Sequence, residues 1–145
     1  MFGFQENVPA HDGIIYRELL KIPVCCAVSP EHKYAEKERI SEQELCSENI
    51  IICYSYPIPS KVLNRQKSLE KNYELSNVYY CDNPDAQKVL VKAGYGFAIL
   101  PQTTLDDRDI CYIPLEDEGT VSYGVFYKKD TSNPLLKNFI RVVVN

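Results

Sequence analysis

Asp82-Asn83-Pro84-Asp85-Ala86-Gln87-Lys88-Val89-Leu90-Val91-Lys92-Ala93-Gly94-Tyr95-Gly96-Phe97-Ala98-Ile99-Leu100-Pro101 decides the fold, because nearly every boundary in it is marked. Asn83 is a helix cap through its side-chain oxygen, and Pro84 suits the first helical position, where its missing N–H costs nothing. Ala86, Val89, Leu90 and Ala93 recur at helical spacing, which puts them on the buried face and Gln87, Lys88 and Lys92 on the other. Gly94 stands where a left-handed stop is expected, and Gly96 keeps the turn tight. Phe97 to Leu100 is a continuous apolar run, as a strand covered on both faces requires, and Pro101 ends it. The unit aims a helix N-terminus, with its free N–H groups, at the region of Asp82 to Asp85.

Upstream the same alternation repeats. Asn49 to Tyr54 reads as a buried strand, Ser60 to Asn72 as a helix with a thin apolar face of Val62, Leu63 and Leu69, and Val78 to Cys81 as the next strand. This order predicts an α/β layer sandwich with a mainly parallel sheet. Ser41 and Glu44 fit a capping box, placing a short helix over 41–47. Ile22 to Val28 is a strand; Ile14 to Lys21 is short and mixed. Downstream, Thr103 and Thr104 form a possible cap pair before turns at Asp106, Asp107 and Asp109. Strands follow at 110–115 and 120–127, and Asn133-Pro134 opens an amphipathic final helix.

Composition narrows the function. The 145 residues carry 16 Lys+Arg against 20 Asp+Glu, a net charge of −4, and no basic cluster of the kind that grips nucleic-acid phosphates. No apolar run reaches the length of a membrane span, and no leader pattern opens the chain, so a cytoplasmic protein is expected. Cys25, Cys26, Cys46, Cys53, Cys81 and Cys111 include no C-x-x-C, and most sit in strand-like runs, so they read as buried or incidental thiols. His11 and His32 are the two histidines; neither stands in a ligand or triad pattern. No phosphate-binding G-x-x-x-x-G-K-[ST] occurs, and Gly94-x-Gly96 follows a helix, the wrong end for a dinucleotide turn. No enzyme, no metal and no cofactor are expected.

Five segments in order give the chain a likeness. These are Gly3-Phe4 at a strand end, Pro30-Glu31-His32-Lys33-Tyr34-Ala35, Leu45 to Ile52, Val91 to Pro101, and Tyr127 to Phe139. In this order the chain resembles the effector-binding domain of LysR-type transcriptional regulators, truncated on its N-terminal side. Lys33-Tyr34 stands where the family pattern has Pro-Leu, and Phe97 where it has Ile. Judged by domain length, roughly 85 to 140 residues of a full regulator would precede this chain.

The resemblance implies a type 2 periplasmic-binding-protein-like fold, with two lobes joined by crossover strands near Val24–Ser29 and Val121–Tyr127. Residues 1–29 and 122–145 would be remnants of lobe one, and 30–121 a complete lobe two. A small polar metabolite would sit in the cleft, with no catalysis. Asp82, Asn83, Asp85, Ser55 and Tyr56 would face it from lobe two, and Gln5 and Glu6 from lobe one. A homodimer is expected, touching DNA only through a helix-turn-helix outside this chain. Strand edges at 1–6, 22–28 and 121–127 would be left bare. A stand-alone solute-binding or protein-interaction module of the same fold is the alternative.

Overall fold

A computed structural model describes residues 1–8, 10–55, 58–103, 107–116 and 118–144. The expected cap at Thr104, the turn at Asp106 and the candidate Tyr56 lie outside them. Among the described residues seven strands and four α-helices follow in order: β1 (Phe2–Phe4), β2 (Ile14–Val28), α1 (Glu42–Leu45), β3 (Ile50–Cys53), α2 (Ser60–Glu70), β4 (Val78–Cys81), α3 (Pro84–Lys92), β5 (Ala98–Pro101), β6 (Cys111–Pro114), β7 (Thr120–Lys128) and α4 (Pro134–Val143).

β2 is the axis. Its first part, Ile14 to Pro23, pairs antiparallel with β7, which in turn pairs with β1. Its second part, from Val24, lies between β5 and β6 and is antiparallel to both. One strand of 15 residues therefore serves two sheets. The mixed reading of 14–21 is corrected: Arg17, Glu18 and Lys21 are strand residues, charged because much of this ribbon faces water. A bare edge at 22–28 is likewise absent, since strands flank it on both sides.

Beyond β5, hydrogen bonds from the Phe97 N–H to the Asn49 carbonyl (3.0 Å) and from the Ile51 N–H to the Phe97 carbonyl (2.8 Å) join β3, which pairs parallel with β4. The order is β6-β2-β5-β3-β4; all but β2 run the same way. The strands alternate across this layer as the pleat demands. Ile50, Ile52, Phe97 and Ile99 pack with Leu45 of α1 and Val62 and Leu69 of α2. Ile51, Ala98 and Leu100 pack on the other face with Val91 of α3.

Local chemistry explains the ends. Glu44 accepts from the Ser41 N–H (2.9 Å) and hydroxyl (3.1 Å), which holds the start of α1. Asn83 Oδ1 accepts from the Ala86 N–H at 2.8 Å, and Pro84 opens α3. The helix stops on Gly94, whose φ of 78° favours glycine, with N–H groups of Gly94 and Tyr95 bonded back to Val91 and Leu90. Gly96 has a different reason from a tight turn alone: a Cβ there would lie 2.3 Å from the Asn49 carbonyl oxygen, so the β3–β5 junction admits only glycine.

The phase of α3 differs from the expected one. Gln87 is buried at 1% exposure and Val91 is buried, while Val89 is 62% exposed. His32 is committed to structure: its Nδ1 accepts from the Tyr34 N–H, so Nε2 carries the proton offered to Glu48 at 3.1 Å. Burial pushes the Glu48 carboxyl up, yet Lys33 and His32 outweigh it and hold it below its ordinary range.

Candidate functional site: a crevice between β3 and β5

After β3 the chain passes through α2 to β4 on one side, then through α3 to β5 on the other side of β3. The strand order reverses there, and such points open a crevice beyond the carboxyl ends of the strands. Here the opening is concrete. The Ile51 N–H is bonded to the carbonyl of Phe97, just before β5, but among the described residues no backbone bond joins the next groups along that edge to β5. Gln87 Nε2 donates instead to the Ile51 carbonyl (2.8 Å). Gln66 accepts from the Cys53 N–H (2.9 Å) and donates to the Cys53 carbonyl (2.8 Å). The two amides meet, Gln87 Nε2 to Gln66 Oε1, at 3.1 Å. Buried backbone groups must be paired, and two glutamines from helices on opposite faces supply what a neighbouring strand would otherwise have given.

Above this floor lies a hollow of about 140 Å³. Its walls are mostly apolar: Phe4 of β1, Ile58, Pro59 and Val62 at the start of α2, and Leu100 and Pro101 of β5, with Gln87, Lys88 and Thr103 as polar members. Both sheets contribute, because Phe4 belongs to the β1-β7-β2 sheet and Leu100 and Pro101 to the second, with α2 and α3 supplying Val62, Gln87 and Lys88.

α2 is tied to both. Pro59 at its N-cap makes no side-chain cap bond, and Glu6 reaches across to accept from the Ser60 N–H at 2.8 Å. Lys61 Nζ donates to the Thr120 carbonyl (3.0 Å). Arg65 donates through Nε to Glu118 (2.5 Å) and through a terminal nitrogen to Glu42 (2.8 Å), linking α1, α2 and the turn before β7.

Of the sequence-derived candidates, the structure brings Glu6 to the N-terminus of α2, beside the hollow. Asn83 spends its side chain on the cap of α3. Asp82 and Asp85 are exposed and do not line the hollow, and the Ser55 hydroxyl lies 3.1 Å from Cys53 Sγ. Gln5 lines a separate hollow with His11, Tyr16 and Phe126. Sequence reasoning missed Gln66, Gln87, Phe4, Lys88 and Thr103. The available signal was faint: one glutamine in each of the two helices that follow β3 and β4.

Cys25 and Cys81 are protected rather than poised. Burial pushes Cys25 up to about 11, and burial with the neighbouring Cys53 pushes Cys81 up to about 12. Among the described residues no group of three or more His, Cys, Asp or Glu side chains is placed to hold a metal, and no helix is long and apolar enough to cross a membrane.

A family model described as the LysR substrate binding domain matches residues 2–145. Solved structures agree in fold. A putative LysR family transcriptional regulator from Pseudomonas aeruginosa, the PA01 protein, superposes with a TM-score of 0.70 at 16% identity, over 99% of this chain and 51% of its own. The regulatory domain of CcmR from Synechocystis PCC6803, in complex with 2-PG, gives 0.65 at 15%, over 99% and 70%. The effector binding domain of QuiR, in complex with shikimate, gives 0.67 at 17%, over 94% and 66%. None of the curated proteins compared with it matches the chain in sequence. The chain thus belongs to the LysR substrate-binding-domain family and has the type 2 periplasmic-binding-protein-like fold. It spans about half the length of regulators such as the PA01 protein, 51% in that case.

Proposed function

We propose that this chain is the effector-sensing part of a LysR-type transcription regulator and holds a small metabolite in the hollow between β1 and the β3–β5 crevice. The observation that carries this is the crevice itself: β3 and β5 part at the strand-order reversal, two buried glutamines keep the gap satisfied, and residues of both sheets line the space left. The family is one of regulator domains, and the proposed role involves no catalysis.

Residues 30–121 would form the complete lobe, with 1–29 and 122–145 belonging to the other. A ligand touching Phe4 as well as α2 and α3 favours whichever arrangement brings them closest, by its difference in affinity for the two. In the whole regulator, a homodimer in the cytoplasm, that preference would pass to a helix-turn-helix domain bound to DNA. CbnR, a structural neighbour with a TM-score of 0.72, is described as full-length protein with its target DNA. Asp82, Asn83, Asp85, Ser55 and Gln5 stay in the proposal as positions that a ligand larger than the hollow would reach, and Tyr56, outside the described residues, stays in it from the family resemblance alone.

The test is a metabolite panel read by thermal shift and calorimetry on this chain and on Ile58→Trp, which fills the hollow from its wall. Ligands that stabilise the parent should lose their effect in the folded variant. Equal affinity in both would remove the hollow as the site.

A further inference from the structure

α4 is sharply amphipathic, yet no residue of it is buried. Leu136 and Ile140 are half-buried on the side of Tyr127, which belongs to β7. One step round the helix, Phe139 meets Phe2 of β1 edge-on, with ring centroids 6.1 Å apart. A further step round brings Leu135 and Val142, one turn to either side of Phe139 and 78% and 75% exposed. The helix thus lies over β7 and β1 and carries two large apolar side chains out past β1, the last strand of its sheet.

β1 is open on that side. The Met1 amino group donates to the Phe126 carbonyl (3.0 Å), and the Met1 carbonyl accepts from the Phe126 N–H (2.8 Å). In an antiparallel ladder the groups of the next residue point the other way, so the N–H and carbonyl of Phe2 face off the open edge. Natural edges are blunted by charged side chains, prolines or bulges. Phe2-Gly3-Phe4 has neither charge nor proline, and its pairing with β7 is in unbroken register.

Area and charge decide what fits. Phe2, Leu135, Phe139, Val142 and Val143 leave on the order of 500 Å² of apolar surface in one patch, more than scattered exposure accounts for. Homodimer interfaces are about 65% apolar, so this patch with its polar surround amounts to about 800 Å² per copy, the size of a standard interface. No charged side chain lies within the patch to repel an identical one; Lys137 and Arg141 stand on the other side of α4. A two-fold axis beside β1 meets both needs at once. It sets the strand antiparallel to its own copy, which pairs the free Phe2 groups, and it brings α4 beside α4, so that Leu135 and Val142 of each copy cover those of the other.

We propose that a second copy of this chain docks on β1 and α4 about a two-fold axis, extending the β1-β7-β2 sheet across the dimer. The surface is separate from the hollow except that β1 serves both, with Phe4 at one and Phe2 at the other.

Sedimentation of the chain at about 1–100 µM should show a monomer–dimer equilibrium, within the affinity range open to an interface of this size. Leu135→Glu and Val142→Glu should each raise the dimer dissociation constant at least about tenfold, because an isologous contact takes every substitution twice. Both positions are exposed, and circular dichroism verifies that the variants fold. Leu75→Glu, at an 80% exposed position shortly before β4, should leave the dimer as it is. Hydrogen exchange at the Phe2 amide should slow as concentration rises through the transition. A chain that stays monomeric at about 100 µM would overturn the second copy as occupant. So would a dimer broken by Leu75→Glu and indifferent to both α4 substitutions. A dimer whose Phe2 amide exchanges at a rate independent of concentration would overturn the strand pairing.

Discussion

Gln66→Leu separates a crevice satisfied by glutamines from an ordinary core. The substitution puts an apolar side chain, one atom shorter, in place of an amide that is 0% exposed. Three groups then lose a partner: the Cys53 N–H, the Cys53 carbonyl and one N–H of Gln87. An unsatisfied buried group costs about 1–3 kcal/mol. Taking the lower half of that range for each, and subtracting about 1–2 kcal/mol for placing an apolar side chain in the core, gives a net loss of about 3 kcal/mol. At about 2–4 °C per kcal/mol, the melting temperature falls by about 9 °C. Urea unfolding measures it, with an unchanged slope showing that the folded state is as compact as before. Gln87→Leu closes a double-mutant cycle, and the shared amide contact should appear as a coupling of at least about 0.5 kcal/mol. A Gln66→Leu protein within about 1 kcal/mol of the parent would refute the reasoning, because the strand edge would then have another source of hydrogen bonds.

Arg65→Met leaves the Glu118 carboxylate, which is 7% exposed, without its cation. Unfolding in urea should show a loss of about 2–3 kcal/mol, well above that of an exposed pair. The Glu44 carboxyl is held down to about 2, chiefly by Lys37 and then by the Ser41 N–H. A depressed carboxyl stabilises the fold above its unfolded value and loses that contribution as pH falls through the folded one. Carboxyl titration followed by NMR should therefore find Glu44 ionised well below pH 4.5, and Lys37→Ala should bring its midpoint up. Thiol labelling at pH 8 should modify exposed Cys46 first and leave buried Cys25 and Cys26 unreacted until the protein unfolds.

The unit from Asp82 to Pro101 was legible because its signals are local: a side-chain cap, a proline, a glycine at positive φ. The inward face of its helix was not. Hydrophobic periodicity favoured Val89, yet Gln87 turns in, because the requirement it meets is set by a strand 36 residues away that parts from its neighbour. Gln66 was hidden the same way among the charged residues of α2. The full length of β2 escaped notice because Arg17, Glu18 and Lys21 make a water-facing ribbon look like a loop. Glu6 was readable as a candidate from family likeness alone; its engagement with Ser60 is a tertiary fact that no local pattern carries.

β2 has a mechanical meaning as well. Two sheets that share one unbroken strand have a torsion bar between them, clamped by β7 below Pro23 and by β5 and β6 above Val24. Turning of one sheet against the other would be taken up as twist along that bar rather than at a single hinge peptide. Amides along β2 would stay slow to exchange at both ends of the stroke.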